Sequence, residues 1–316
     1  MRRLFLVCAV LMAAMTVAPL AAIDRTRTVK TESDNVQTEE GYVSVMLSEN
    51  GKIEKKEERE YIIGALAAET DMSCHEEALK AQALACKTYM EYMKQNTDDE
   101  RFNGADVSDD STECQGYLNE SERREKWGDN FEENEKKAEK AVDAIIGKLM
   151  VYNGNPILAV YHSISSGVTE DAETVWGKDY PYLLSAESAG DRLSPDYSKT
   201  VVLSLSDFSE RVINIDGVNL KGDAENWLGK EDKSENGYVK SIYLGSTKVN
   251  GENFRNAFGL ESCNFTINYE EGKFTIRTLG SGHQVGMSQY GADYMARQGF
   301  SWKEILLHYY ANIEII

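Results

Sequence analysis

The sequence predicts an α+β fold: helical segments gathered around one glutamate, Glu69, and packed on antiparallel sheet and hairpins, with a β-rich second lobe. Three observations predict it. Apolar residues recur at helical spacing over residues 58–96 and again over 131–146. The period then shortens to that of strands on both sides of Asn153 and Gly154, a pair that supplies positive φ in a tight hairpin turn. From residue 200 to 271, short β-type runs alternate with turn signals at Asp216-Gly217, Asn236-Gly237 and Asn250-Gly251. With 316 residues and 41% hydrophobic content, the chain can bury one large core or two small ones.

Taken in order, Arg2 and Arg3 precede residues 4–23, an uncharged run of 20 residues. As a helix it would span roughly 30 Å, enough to cross a bilayer. Residues 1–23 are therefore expected to be an N-terminal membrane anchor that exports the rest of the chain. Ala18-Pro19-Leu20-Ala21-Ala22 fits a small-x-small cleavage site poorly, which favours an uncleaved segment, and Cys8 sits inside the apolar run rather than at a lipobox position. Residues 24–51 are Thr- and Glu-rich without periodicity and read as an extracytoplasmic linker, which leaves 52–316 as the folded domain. The first helix is expected to begin near Glu58 and end near Glu69. A second is expected from Ser73, with Glu76 as its capping-box partner and Leu79, Ala83, Cys86, Met90 and Met93 as its core stripe. Residues 96–130 are charged and irregular, the pattern of a surface loop or flap. Residues 131–146 return to helix, with Ala138, Ala141, Val142 and Ile145 on one face and Gly147 as its end. Strands are expected at 149–152, 157–161 and 274–278, and the last helix carries a capping box in Ser301 and Glu304 ahead of an aromatic-rich end.

The formal net charge of −19 excludes nucleic-acid binding by bulk charge. Outside the apolar run the cysteines are Cys74, Cys86, Cys114 and Cys263, with no Cys-x-x-Cys pair, and are expected to be mostly free, buried thiols.

Glu69 is the leading candidate for chemistry. It closes the run Tyr61-Ile-Ile-Gly-Ala-Leu-Ala-Ala68, and apolar surroundings disfavour the charged form of a carboxyl, raising its pKa toward the range of a general acid. The alternative is a glutamate at a helix end that simply points into water. Two further segments carry polar groups on small residues. His162-Ser-Ile-Ser-Ser-Gly167, followed by Thr169 and Trp176, suits a sugar or an amide, or is an ordinary turn with a histidine at the core edge. Gly280-Ser-Gly-His283-Gln-Val-Gly286, ahead of Gln289 and Tyr290, is a backbone able to approach a ligand closely. It is not a dinucleotide fingerprint, since the βαβ length and the later acidic residue are missing. No Gly-x-Ser-x-Gly elbow and no His-Glu-x-x-His motif occurs.

The three blocks EYIIGALAAET…EALKAQALACKTY, AVYHSISSGVTEDAETVWG and GSGHQVGMSQYGADYMARQGFSWKEILLHYY occur in this order over residues 60–310. Together they resemble the stage II sporulation protein D family and its amidase-enhancer relatives. The resemblance implies a membrane-anchored lytic transglycosylase that cleaves peptidoglycan between N-acetylmuramic acid and N-acetylglucosamine during forespore engulfment. Glu69 matches the family's catalytic glutamate. Lys87, His162, Ser163, Ser165, Ser166, Thr169, Trp176, His283, Gln289 and Tyr290 are then candidates to hold the glycan.

The resemblance also implies partners. They are glycan strands stripped of stem peptides, a cell-wall amidase and a membrane protein of the engulfment machinery, met at the septum between mother cell and forespore. No cofactor is expected. Some members bind zinc through the loop after the second helix, but here only Cys114 stands in a plausible place, with Ser108 and Glu113 where further ligands would be. Lys87-Thr-Tyr replaces an Arg-Thr-Tyr common in the family, and Ser166 replaces a frequent glycine. Two rival readings stay open: a noncatalytic cell-wall-binding activator of an amidase, in which Glu69 is dispensable, and a membrane-tethered scaffold that binds no glycan.

Overall fold

The computed structural model describes residues 41–98 and 100–316. The expected anchor and residues 24–40 of the expected linker lie outside the described residues. Among those described, no helix is long and apolar enough to cross a membrane. The fold is α+β and divides into two compact units: one runs to Ala159 and takes in Ala296–Ile305 and Asn312–Ile316, the other comprises Val160–Met295 with Leu306–Ala311.

The first unit opens inside the expected linker. β1 (Tyr42–Met46) pairs antiparallel with β2 (Ile53–Glu57), and its Val43 and Val45 are buried. Five alternating residues in a polar stretch are too short a signal to stand out. α1 (Glu58–Glu69) has the expected limits and buries every residue from Tyr61 to Ala67, so all its faces are apolar there. α2 (Glu76–Asn96) starts three residues later than expected. Its cap is His75, whose Nδ1 accepts the Glu77 N–H at 3.3 Å, because Asp71 Oδ1 already accepts the Ser73 N–H at 2.7 Å.

The expected flap is irregular over most of its described length but not throughout. It contains β3 (Val107–Ser108), parallel to β1, and α3 (Glu120–Trp127), which starts at a complete capping box of Asn119 and Glu122. α4 (Phe131–Asp143) buries Ala138, Ala141 and Val142 as the pattern requires, but its helical span ends before Gly147. β4 (Met150–Tyr152) and β5 (Asn155–Pro156) form the hairpin, with Asn153 at φ 51° and Gly154 at φ 80°. The second arm lies wholly ahead of the expected 157–161, of which Tyr161 alone belongs to a strand.

In the second unit, β6 (Tyr161–His162) leads through α5 (Ala172–Trp176) to β7 (Ser198–Ser204) and α6 (Leu205–Val212). β8 (Leu228–Lys233), β9 (Val239–Leu244) and β10 (Thr247–Asn250) form an antiparallel sheet with β9 central. α7 (Gly251–Phe258) comes next, then β11 (Phe265–Glu270) and β12 (Lys273–Leu279), with β12 between β11 and β7. β13 (Met287–Ser288) runs parallel to β6 and continues into α8 (Gln289–Arg297).

The β-rich lobe thus carries two helices. Phe208 and Val212 on α6, and Phe254 and Phe258 on α7, supply four-residue spacings that fill one aromatic core with Phe265 and Phe274. Asn250-Gly251 is a helix start, not a turn. Asn250 Oδ1 accepts the Glu252 N–H at 2.8 Å, and a Cβ on Gly251 would stand 1.7 Å from the Val239 carbonyl oxygen. α9 (Trp302–Tyr309) has the expected capping box, with the Ser301 N–H donating to Glu304 Oε2 at 2.9 Å. β14 (Glu314–Ile315) pairs with the free side of β4 in the first unit. Cys86, Cys114 and Cys263 are buried thiols, and Cys74 is a half-buried one.

Candidate active site

Glu69 is the last residue of α1, where the helix stops because Thr70 is extended. Its carboxyl is half-buried, and burial raises its pKa above the ordinary value of 4.5. Two features pull the other way without reversing the shift: the Gly116 N–H, which donates to Glu69 Oε1 at 2.5 Å, and the charge of Lys126. Lys126 sits on α3 and donates from Nζ to the carbonyls of Ala67 at 2.7 Å and Ala68 at 3.4 Å. These are acceptors that the end of a helix leaves unsatisfied, and α1 has no basic residue of its own in its last turn. The result is a carboxyl that holds its proton to higher pH than usual, fixed at one oxygen by a backbone donor and flanked by a cation. It can donate a proton and take one back.

Lys87, in the same unit, is buried on α2 with its ammonium paired to the Glu58 carboxylate. The remaining candidates lie in the second unit. There His162 and His283 stand with ring centres 5.7 Å apart, and Trp176 lies 5.4 Å from His283. His162 Nδ1 faces the Val285 carbonyl at 3.1 Å, while its Nε2 is buried without a hydrogen-bond partner. Burial pushes His162 down to about 3 and His283 to about 4, so both rings are neutral at physiological pH.

The serines divide. Ser163 is exposed, and its carbonyl accepts the Tyr290 N–H at 3.1 Å. Ser165 and Ser166 are buried: the Ser165 N–H donates to Asp191 Oδ2 at 2.8 Å, Ser165 Oγ accepts from the Gly167 N–H at 3.0 Å, and Ser166 Oγ donates to the Val168 carbonyl at 3.3 Å. Thr169 is buried too, its Oγ1 accepting the Ala186 N–H at 2.9 Å. Trp176, His283, Gln289 and Tyr290 are half-buried. The glycines that surround His283 approach their own chain: a Cβ at Gly280 would lie 2.5 Å from the Ile164 carbonyl oxygen, one at Gly282 2.8 Å from His162 Cβ, and one at Gly286 2.1 Å from the Val160 carbonyl oxygen.

Sequence reasoning missed Gly116, Lys126 and Asp191. The Asn119–Glu122 capping box was the signal that would have found α3 and with it Lys126. Gly116 acts through its backbone, which a side-chain pattern does not report. Buried Asp191 accepts from Ser288 Oγ at 2.8 Å as well as from Ser165, an arrangement without a local motif.

Cys114 is buried, burial pushes its thiol up to about 11, and its Sγ accepts the Ser108 N–H at 3.5 Å. Among the described residues no group of three or more His, Cys, Asp and Glu is placed to hold a metal ion.

The family model described as Stage II sporulation protein matches residues 47–152, the stretch that carries both Glu69 and Gly116. Stage II sporulation protein D of Bacillus amyloliquefaciens is 36% identical over 274 residues, which cover 86% of this chain and 78% of that protein. This chain belongs to the stage II sporulation protein D family. The family member of Bacillus subtilis (strain 168) is 35% identical over 275 residues, with 86% of this chain and 78% of its own covered. A protein of the same organism named Amidase enhancer is 27% identical over 300 residues, 78% of this chain and 39% of its own length. The membership expected from the three sequence blocks is therefore established, and the matched family segment centres on the unit that holds Glu69.

Proposed function

We propose that this chain is a membrane-anchored peptidoglycan lytic transglycosylase of sporulation, acting during forespore engulfment. The observation that carries the reading is the Glu69 carboxyl, raised in pKa by burial and fixed by the Gly116 N–H, at the end of a helix inside the segment that the family model matches. A glycoside hydrolase of the usual kind works with two carboxylates. One is enough here. Glu69 protonates the glycosidic oxygen as the C1–O bond breaks; its carboxylate then takes the proton of the muramyl C6 hydroxyl as that oxygen attacks C1. The glutamate ends protonated, as it began, and the product is a 1,6-anhydromuramyl end.

In this reading the exposed Ser163 and the half-buried Trp176, His283, Gln289 and Tyr290 are the candidates to meet the glycan. His162, Ser165, Ser166 and Thr169 shape the segment behind them, and Lys87 supports the first unit through Glu58. The chemistry calls for no cofactor. Stem-peptide-free glycan is the substrate, with a cell-wall amidase and an engulfment membrane protein as partners and the N-terminal apolar run as the anchor at the septum.

The likeness to the protein named Amidase enhancer supports a second reading, in which the chain binds wall and stimulates an amidase without catalysis. Purified full-length protein and Glu69→Gln, each given stem-peptide-free glycan and separately a partner amidase, distinguish the two. Anhydromuramyl products from the wild type alone support the enzyme; equal amidase stimulation by both proteins, with no such product, overturns it.

A further inference from the structure

We propose that residues 115–118 are the positioning element of the Glu69 carboxyl, acting through the Gly116 N–H and locked in place by Gln115, Gly64 and Arg123. The inference rests on the transglycosylase reading for its catalytic consequence, though not for its geometry. The segment lies along α1 and is tied to it and to its neighbours at several points. Gln115 Nε2 donates to Tyr61 Oη at 3.2 Å and to the Cys86 carbonyl at 3.1 Å, which ties it to α1 and α2 together. One turn further up α1, the Leu118 N–H donates to the Gly64 carbonyl at 3.2 Å.

Gly64 permits this approach. A Cβ there would stand 2.4 Å from the Tyr117 ring and 2.5 Å from the Leu118 carbonyl oxygen, so no larger residue fits mid-helix while the segment is docked. The Tyr117 ring stacks on Tyr61, 5.3 Å between centres. From the far side, Arg123 Nη1 donates to the Leu118 carbonyl at 2.9 Å. The same guanidinium is 1% exposed and is held by Glu60 at 2.9 Å and Glu135 at 2.7 Å. A buried arginine held by two carboxylates and a carbonyl is a costly arrangement to break, because the guanidinium stays out of water with fewer partners.

What the lock delivers is one backbone donor at a fixed place. The Gly116 N–H donates to Oε1 whether Glu69 is an acid or a carboxylate, and more strongly to the carboxylate, so the bond tightens as the proton leaves. It also keeps the carboxyl in one orientation between the donating and accepting steps. Gly116 itself is tightly enclosed: a Cβ there would lie 3.1 Å from both Ala68 Cβ and Glu69 Oε1. Its φ is not positive, so alanine is compatible with the backbone and acts by pressing on the carboxyl.

The test uses full-length Gly116→Ala and, as a gentler variant, Gln115→Met, which loosens the segment without touching Gly116. Two readouts are taken: kcat and KM on stem-peptide-free glycan across pH, and the Glu69 titration midpoint followed by carbon-13 NMR of its carboxyl. Losing a donor to the carboxylate disfavours ionisation, so the midpoint and the alkaline limb of kcat/KM both move to higher pH. In Gly116→Ala, kcat falls roughly tenfold to hundredfold with KM little changed, the effect of misplacing a reacting group. Gln115→Met moves both readouts in the same direction by less.

A folded Gly116→Ala with unaltered midpoint and kcat overturns the proposal. If that variant does not fold, Gln115→Met decides, and an unchanged midpoint there overturns it. A wild type that makes no anhydro product would sink the transglycosylase reading alone, since the NMR midpoints judge the positioning claim without turnover.

Discussion

The carboxyl of Glu69 ends a helix whose buried run mixes large apolar and small residues and stays half-buried with its pKa raised, whereas most of the polar groups of the segment from His162 to Gly167 are turned inward and used by the fold. Ser165 is bound to Asp191 and Gly167, Ser166 to Val168, and His162 to Val285. Both regions look like site material in sequence, yet burial acts on them in opposite ways. A carboxylic acid half-removed from water gains chemistry, because the cost falls on its charged form. Hydroxyls removed from water must find partners, and once they have them they are scaffold. The glycines of 280–286 obey the second pattern, giving space to their own chain.

Among substitutions in the two regions, the largest effect should come from Glu69. Glu69→Gln is expected to lose at least about a hundredfold in anhydromuramyl release, the scale of general acid–base catalysis. Its thermal stability should separate from its activity. Because the folded-state pKa of Glu69 is raised, the native protein holds this proton more tightly than the unfolded chain does, and stability falls as pH rises through and above the ordinary value of 4.5. Calorimetry should therefore find Glu69→Gln at least as stable as wild type at pH 8, with the difference vanishing in acid. A variant that loses both activity and stability at pH 8 would make Glu69 structural.

Next come the glycines of the second unit. Gly286→Ala meets the Val160 carbonyl at 2.1 Å with φ at 71°, and urea unfolding should show a loss of about 3 kcal/mol or more. Gly154→Ala, with a similar φ of 80° but nothing within 4 Å of its Cβ, should cost only about 1 kcal/mol. Equal losses would mean that backbone strain, not close approach, explains these glycines.

A smaller, pH-dependent effect attaches to His162. Its folded pKa is lowered to about 3, so the unfolded chain binds the proton more readily, and stability is present above pH 6.5 and is lost as pH falls from there toward 3. His162→Asn, which keeps a donor near the Val285 carbonyl, should flatten that acid slope in unfolding free energies measured at several pH values. An unchanged slope would place the acid sensitivity elsewhere.

The smallest effect is expected at Ser163, the exposed member of its run. Ser163→Ala should change stability by no more than about 0.5 kcal/mol, against about 1 kcal/mol for Ser165→Ala, while calorimetric titration shows weaker glycan binding for Ser163→Ala. Unaltered binding would remove Ser163 from the glycan contacts.

These contrasts explain what was legible in the sequence. α1 could be read to its last residue, and with it Glu69, because a run of apolar and small residues that stops at a carboxylate is a continuous local signal. The hairpin was legible through Asn153-Gly154, whose positive φ values are almost a property of the dipeptide. Asn250-Gly251 misled because asparagine serves turns and helix caps alike, and the deciding neighbour, Val239, is remote in sequence. Gly116 was invisible for a related reason: its contribution is a backbone N–H brought to Glu69 from 47 residues away.

Whether Glu69 serves as both acid and base in a cleavage without water is decided by digesting stem-peptide-free glycan strands with the full-length protein in heavy-oxygen water and reading the products by mass spectrometry. The account predicts 1,6-anhydromuramyl ends that carry no heavy oxygen, because the C6 hydroxyl supplies the attacking atom. Ordinary reducing ends labelled with heavy oxygen at C1, or no cleavage at all, would contradict it.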